Sequence, residues 1–413
     1  MKRRVVITGL GVVACNGIGK EKFWQANVEG RSGLSAFSSF DVSKLDVKIA
    51  GQVKDFNPLD YIQAATVQRT DRYVHLILAS AKMALQDSHL NLTQEDLTRI
   101  GVVMGSGLGG IVFHEELIMN AMVKGIDRIP PYSVPRMTPN AITSYFAIEF
   151  GLLGPNMVIS TACASGSHAI GEAFRKVSYG EMDVCVTGGV EAPLTPFTFG
   201  AYTALRALSK RNDAPQEASR PFDKARDGFV LAEGSGVVIL EELEHARSRG
   251  AHIYAEVSGY AANTGAHHMV MPMPDGEDAT RVMKSALKDA NLNPDDIDYI
   301  NAHGTSTQAN DKAETNAIKQ VFGQRAYEIP VSSTKSMIGH SIGAAGAIEA
   351  VVCALAIENQ FAPPTINYKE KDPDCDLDYV PNQGRNVKIN HIVSNSFGFG
   401  SSNACLIFSK GDL

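Results

Sequence analysis

Short apolar runs rich in β-branched residues punctuate the chain, several of them ending in glycines. Between them lie longer segments whose apolar positions recur every three to four residues. The first pattern predicts buried strands and the second amphipathic helices. Strands are expected over 4–8, 100–104, 158–159, 184–187, 236–241, 297–302 and 404–408. A helix is expected over 69–90, with Tyr73, Leu76, Ile77, Ala84 and Leu85 on its apolar side, and another over 242–249. Gly9-Leu10-Gly11 reads as a turn and 34–60 as irregular chain. Pro130, Pro131, Pro135 and Pro139 mark a long loop, and the charged, proline-bearing stretch 206–227 reads as a surface excursion. Alternation of strand, glycine turn and helix is the signature of an α/β fold.

The pattern repeats. Ala84-Leu85-Gln86-Asp87-Ser88-His89-Leu90-Asn91 is echoed by Ala286-Leu287-Lys288-Asp289-Ala290-Asn291-Leu292-Asn293, and each copy leads into a strand and a glycine turn. The strand, elbow and small-residue helix around Cys163 are matched by 331–335 and the small-residue segment 343–350. An internal duplication accounts for these echoes in order. It predicts two halves, 1–250 carrying Cys163 and 251–413 carrying His303 and His340. They would pack with sheets outside and the small-residue helices between.

The stretch 158–174 organises the chain. Cys163 stands at a strand-to-helix elbow, where the positive end of the helix favours thiolate and exposes the sulfur for attack. Three further segments carry chemistry: Asn301-Ala302-His303-Gly304-Thr305-Ser306-Thr307, the run from Lys335 through His340 to Gly343, and the glycine loop 395–403. One thiolate with two imidazoles suits acyl transfer: the sulfur takes an acyl group, and two neutral histidines donating from Nε2 hold an oxygen as it becomes an enolate. Backbone N–H groups at the elbow and the glycine loop would form an oxyanion hole. The turn 105–110 either cradles a phosphate or lets two backbones meet, and the second reading is favoured. His267-His268 lacks a carboxylate at ligand spacing and is not read as a metal pair. His75, His89, His114, His168, His245, His252 and His391 are read as structural.

Composition narrows the class. Of 413 residues, 44% are hydrophobic, enough for a sizeable core. The net charge of −7, with no run of Lys or Arg, argues against nucleic acid. The six cysteines (15, 163, 185, 353, 375 and 405) form no CxxC, which fits reduced thiols rather than disulfides or zinc. The basic, apolar start resembles a leader until Thr8, Gly9 and Gly11 interrupt it, and the apolar run 350–357 is too short to span a bilayer. A cytoplasmic protein without membrane attachment is expected. Gly9, Gly11 and Ala14 make a GxGxxA, but no acidic strand end follows at dinucleotide-binding distance.

Four motifs, in this order and spacing, carry a resemblance to a known family: TACASG around Cys163, NAHGTST around His303, KSMIGH from Lys335 to His340, and NSFGFG ending at Gly400. With SRPFDKARDGFVLAEGSG (219–236) and PPTIN (363–367), the whole chain resembles the β-ketoacyl-[acyl carrier protein] synthases, elongating condensing enzymes of the synthase II type. The resemblance implies a thiolase-like fold of two duplicated βαβαβαββ halves in a five-layered α-β-α-β-α sandwich, and a homodimer. It implies a ping-pong decarboxylative condensation, in which an acyl chain on Cys163 is attacked by the carbanion of malonyl-[acyl carrier protein]. His303 and His340 correspond to the pair that supports decarboxylation, and Lys335 to its supporting lysine. Phe399 corresponds to the gating phenylalanine whose N–H completes the oxyanion hole with that of Cys163. Thr305 and Thr307 correspond to threonines along the phosphopantetheine arm, with His268 beside it. Leu108, Ser133 and Tyr202 would line the acyl pocket. Asp311, Glu314 and Glu349 would stand behind the catalytic groups. No organic cofactor or catalytic metal is implied, only a structural monovalent cation at Glu349 at most, and the phosphopantetheine arrives on the carrier. The acidic carrier protein would dock on Lys124, Arg128, Arg206, Lys210 and Arg211.

Three positions depart from the family pattern. Ser401-Ser402 replaces a second glycine and its successor, which predicts a stiffer gate. Tyr132-Ser133 replaces two aromatics, predicting a larger or more polar acyl pocket, and Val270 replaces a threonine, removing a contact to the arm. Together they predict longer or more functionalised chains than usual. The alternatives are a type II polyketide or polyene ketosynthase with the same chemistry, and a non-catalytic chain-length partner, which the intact Cys163, His303 and His340 disfavour. A biosynthetic thiolase would need a cysteine in the glycine loop, and Cys405 lies beyond it. A dinucleotide-binding protein is the weakest.

Overall fold

The strand β1 (Val5–Ala14), buried at every position, is where the two halves meet. The computed structural model describes residues 2–411. The first half contributes β1, β2 (Ile100–Gly105), β3 (Asn156–Ile159), β4 (Val184–Glu191) and β5 (Gly234–Glu242). The second contributes β6 (Ala255–Thr264), β7 (Tyr299–Asn301), β8 (Val331–Ser332), β9 (His391–Gly398) and β10 (Ser402–Ser409). They run in the order β8-β7-β9-β10-β6-β1-β5-β4-β2-β3. Read outward from the centre, the order and the parallel or antiparallel sense of one half repeat in the other. The halves join edge to edge only at Val6–Glu256 and Ile7–Ala255.

Helices fill the remaining layers. On the outer face of the first sheet lie α1 (Arg72–Asp87) and, after the exposed α2 (Ile111–Lys124), α3 (Ala141–Phe150). Between the sheets lies α4 (Ser165–Ser178). On the outer face of the second sheet are α5 (Glu277–Ala290) and α6 (Gln308–Phe322). After the short α7 (Lys335–Ile338), α8 (Ala345–Asn359) joins α4 between the sheets, completing the five-layered sandwich of the thiolase-like fold. Residues 345–357 of α8 are all buried. The stretch Ile342–Asn359 is long and apolar enough to cross a membrane, but 89% of it is inside the molecule. Small residues let α4 and α8 touch: a Cβ on Gly346 would stand 2.0 Å from Ser167 Oγ, and one on Gly166 would stand 2.9 Å from Ala347 N.

Several elements differ from the sequence reading. Gly9-Leu10-Gly11 is no turn but part of β1, with a register shift between Ile7 and Gly9. The glycines are there because α1 crosses the strand: a Cβ on Gly11 would lie 1.9 Å from Ser80 O. The GxGxxA therefore has no loop to hold a phosphate. The single helix over 69–90 is two, Ala64–Arg69 and then α1, because Asp71 caps the second by accepting Tyr73 N–H. The unforeseen α2 precedes the proline loop, which itself contains a helical turn, Ser133–Met137. The β4 strand continues through Gly188-Gly189 to Glu191.

The stretch 206–227 is a surface excursion only in part, with Arg206, Lys210 and Asp213 exposed. Leu208, Ser209, Ala218, Ser219, Arg220, Phe222, Asp223 and Arg226 are buried. Its charges are satisfied internally: Arg226 Nη1 lies 2.5 Å from Asp372 Oδ2, and Arg226 Nε lies 3.3 Å from Asp311 Oδ2 and donates to Thr307 O.

Candidate active site

The two halves bring their chemistry to one cavity of about 330 Å³, lined by Cys163, His303, His340, Thr305, Thr307 and Phe399. The sulfur is delivered by an elbow after β3. Ala162 has φ 51°, left-handed for a non-glycine residue. Residues Ala162–Ala164 form a 3₁₀ turn, and α4 begins at Ser165. Ser165 pins the elbow: its Oγ donates to Ala162 O (2.7 Å) and accepts Thr161 N–H (2.9 Å).

Cys163 is only 4% exposed. The expected ready thiolate is corrected accordingly: burial pushes the thiol up to about 12, outweighing the Phe399 N–H and the Lys335 charge, which favour the thiolate, while Glu191 opposes it. Phe399, in the turn between β9 and β10, directs its N–H at the sulfur.

His303 follows β7. Its backbone N–H and that of Gly304 both donate to Glu314, each at 2.8 Å. Lys335, from α7, donates to His303 O at 2.7 Å and stands 3.5 Å from His303 Nδ1. An ammonium can only donate, so Nδ1 is the acceptor and the proton sits on Nε2. His340 crosses His303 edge-on, with ring centroids 5.4 Å apart and planes at 85°. Burial first, and then the Lys335 charge, hold both imidazoles well below their usual pKa, so both are neutral.

Lys335 itself is 1% exposed and pairs with Glu349, equally buried. Burial pushes Glu349 up to about 7 against the pull of the ammonium. Burial likewise raises Glu314 to about 6, and raises Asp311 against the pull of Arg226. Asp311 accepts Phe222 N–H at 2.8 Å, and Glu314 braces the loop that carries His303.

The remaining expected residues divide. Thr305 and Thr307 share a hydrogen bond (2.9 Å) on the cavity wall, with His268 and Val270 toward its mouth. His268 is turned back on its own loop, its Nδ1 accepting Val270 and Met271 N–H. Ser401 takes φ 59° and donates from Oγ to His268 O at 3.1 Å, while Gly400 N–H donates to Met269 O. The gate turn is thereby tied to the 265–271 loop. Tyr202 packs edge-on to Phe229 in the apolar cluster that holds Cys163, but neither it, Leu108 nor Ser133 lines this cavity. Ser133 instead donates to Pro130 O at 2.7 Å. Of the basic residues, Arg206 is at the cavity mouth and shares a shallow surface depression with Lys210, which pairs with Asp46. Arg211 pairs with Glu217, and Arg128 lies 3.6 Å from Asp127. Lys124 closes α2.

Sequence reasoning missed Arg226, Glu191, Asn301 and Asn395. The signal for Glu191 was a carboxylate ending an otherwise apolar and glycine-rich strand. For Arg226 no local signal existed. Among the buried oxygens without a hydrogen-bond partner are Asn301 Oδ1, Glu349 Oε2 and Asn395 Oδ1, on β7, α8 and β9, where β9 packs against both of the others. Such an all-oxygen set suits a hard cation. Among the described residues no group of three His, Cys, Asp or Glu could hold a metal ion.

Comparison with known proteins agrees with this geometry. The profile of the β-ketoacyl synthase N-terminal domain matches residues 2–246, and that of the C-terminal domain matches residues 254–369. The chain is 46% identical to a 3-oxoacyl-[acyl-carrier-protein] synthase 2 of Coxiella burnetii over 99% of both chains. It is 47% identical to that of Synechocystis sp. over 99% of this chain and 98% of the relative. Among solved structures, it superposes with TM-score 0.94 and 39% identity, over the whole of both chains, on a ketosynthase. That structure is of a type II polyketide-synthase acyl-carrier protein in complex with its ketosynthase bound to the hexaketide. The ishigamide ketosynthase/chain length factor matches over the whole of both chains with TM-score 0.93 and 34% identity.

Proposed function

The chain belongs to the β-ketoacyl synthase family, and from that premise we propose that it elongates acyl chains by decarboxylative Claisen condensation on Cys163. The observation that carries the reading is the meeting in one cavity of one sulfur, one backbone N–H aimed at it, and two neutral imidazoles backed by a buried lysine.

The steps follow from these groups. Cys163 sulfur forms a bond to the carbonyl carbon of an acyl-phosphopantetheine thioester while the carrier's sulfur leaves with the proton. The N–H groups of Cys163 and Phe399 hold the oxygen of the tetrahedral intermediate. Malonyl-carrier then enters past Thr305 and Thr307. Its C–CO₂ bond breaks, CO₂ departs, and the electron pair becomes an enolate whose oxygen accepts from His303 Nε2–H and from His340. A neutral imidazole donates its N–H to the enolate oxygen without handing over the proton that would quench the carbanion, and burial and Lys335 hold both histidines in that form. The enolate carbon attacks the Cys163 thioester, a C–C bond forms, the C–S bond breaks, and 3-oxoacyl-carrier leaves. No cofactor enters these steps. A monovalent cation on Asn301, Glu349 and Asn395 would satisfy their free oxygens and steady the Lys335–Glu349 pair.

The halves 1–250 and 251–413 supply nucleophile and histidines respectively. The carrier docks at the mouth beside Arg206, in a cytoplasmic setting. A second copy covers the exposed Met122, Val123 and Ile126 of α2 and its extension, and the unpaired edge of β3. Fatty acid elongation is the leading pathway, because the curated relatives are the more identical. Polyketide extension is the second, supported by the hexaketide-bound neighbour.

Intact-mass analysis after mixing with acyl-carriers of several chain lengths tests the reading. Wild type gains an acyl mass and Cys163→Ala does not. Absence of any adduct on wild type would overturn it in favour of a non-catalytic partner subunit. An ordinary medium-to-long chain profile supports fatty acid work and removes the expectation of unusual chains.

A further inference from the structure

Glu191, at the end of β4, is fully buried, and four donors converge on its carboxylate. Gly107 N–H (2.7 Å) and Gly343 N–H (3.0 Å) reach Oε2, while Leu108 N–H (3.0 Å) and Ser106 Oγ (3.1 Å) reach Oε1. Ser106 Oγ itself accepts Gly109 N–H, which leaves its proton free to point at Glu191. Burial raises the pKa of Glu191 and the four donors oppose that rise; because every neighbour is a donor, the ionised carboxylate is the form the site satisfies. The space is equally committed. A Cβ on Gly343 would lie 2.7 Å from Glu191 Oε2 and 2.5 Å from Gly107 N, and one on Gly107 would lie 2.8 Å from Oε2 and 3.7 Å from Ala162 Cα. The carboxylate thus sits where the Gly105–Gly110 turn, the Cys163 elbow and the elbow at Ile342-Gly343 come together. The glycine turn is an anion cradle whose anion belongs to the protein.

We propose that Glu191 is a positioning residue for condensation, locking the turn that carries Leu108 to the Ile342-Gly343 elbow across the nucleophile. This rests on the condensing reading for its effect on turnover, but not for its effect on the sulfur. Ile342 lines the cavity beside Cys163, and Leu108 stands on the other side of the carboxylate, so the bonds to Glu191 tie the glycine turn to the cavity wall beside the sulfur. The same fixed negative charge opposes ionisation of Cys163. The other groups facing the sulfur are the Lys335 ammonium, the neutral His303 and His340, and the Tyr202 phenol. None of these groups hydrogen-bonds Glu191, whose partners are Ser106, Gly107, Leu108 and Gly343, so a change in thiol reactivity reports on Glu191.

The test compares Glu191→Gln and Glu191→Asp with wild type by two readouts: condensation with carrier substrates, and the pH dependence of Cys163 labelling by iodoacetamide. Glutamine keeps the volume but offers one acceptor oxygen to four donors. Its condensation kcat is expected to fall at least about tenfold, with KM little changed. Its labelling midpoint should move down by about half a pH unit or more. Aspartate keeps the charge and loses reach, so its labelling midpoint should stay at the wild-type value while condensation still falls. A wild-type condensation rate in Glu191→Gln, or an unshifted labelling midpoint, overturns the proposal. If Glu191→Gln does not fold, a wild-type condensation rate in Glu191→Asp overturns it alone. A wild type that labels but never condenses would sink the condensing reading, while the labelling profiles still decide what Glu191 does to the sulfur.

Discussion

The molecule contains the same elbow twice, and only one copy carries a nucleophile. After β3, Ala162-Cys163-Ala164 makes a 3₁₀ turn into α4. After β8, Ile342-Gly343-Ala344 makes a 3₁₀ turn into α8. Both begin on a non-glycine residue in the left-handed region, Ala162 at φ 51° and Ile342 at φ 44°. Where the first has Cys163, the second has Gly343. The first elbow keeps its sulfur beside the Phe399 N–H, and the second gives its N–H to Glu191. The approaches differ as well. The chain reaches Ala162 almost directly from β3, whereas between β8 and Ile342 it inserts α7 and the loop that delivers Lys335 and His340. The two halves hold two equivalent frames: one is the nucleophile's seat, and the other, with glycine in the matching place, is a wall whose lead-in segment carries the polar chemistry.

Seven substitutions probe this division, from the largest effect downward. Cys163→Ala should lower condensation by at least about 10⁴-fold with little change in melting temperature, because the seat does not depend on the sulfur. Gly343→Ala should cost stability as well. Its Cβ meets Gly107 N and Glu191, so a loss of about 1–3 kcal/mol is expected in denaturant unfolding. A stable Gly343→Ala would mean that the second elbow is not the wall described.

His303→Ala and His340→Ala should each slow turnover by about 10²–10⁴-fold while intact-mass acylation of Cys163 persists, separating the halves by step. Loss of acylation in either variant would place the histidines in the first transfer instead.

Lys335→Ala removes a charge that holds both imidazoles down, so the acid limb of the pH–rate profile should move to higher pH. The stability sign follows from the same shifts. Both histidines stay neutral in the fold, whereas the unfolded chain takes up protons as pH falls through the usual histidine value of 6.5. The unfolded state then binds more protons, and stability is lost on acidification below that value. A pH–rate profile unchanged in Lys335→Ala would contradict the electrostatic role.

The smallest effect has opposite signs at the two elbows. Ala162→Gly relieves left-handed strain at almost no cost in burial and should stabilise by about 0.5 kcal/mol. Ile342→Gly relieves the same strain but gives up a buried side chain worth about 1.5–3 kcal/mol, and should destabilise. Equal effects in urea titrations would show that burial of Ile342 does not set the two elbows apart.

Much of this was legible in the sequence where a single segment held both the pattern and its meaning. The echo of 84–91 in 286–293, the small residues after Cys163 and Gly343, and the motif order predicted two α/β halves with buried helices between them. Gly9-Gly11 and the buried part of 206–227 were misread for one reason: their environment comes from distant chain. Glycines in β1 answer to the crossing of α1, and Arg226 is buried because Asp311 and Asp372 arrive from the second half.

The sequence by itself determined the alternation of strand and helix, the doubled frame, and the set of groups available for acyl transfer, since these depend on local periodicity and on residue chemistry. Only the tertiary structure decided their states. Cys163 is held as a thiol, both histidines are neutral, Lys335 is paired with Glu349, and Glu191 fills the glycine turn, because burial and charge are set by which segments meet. The cost of an ion in a closed cavity depends on neighbours that no stretch of sequence contains.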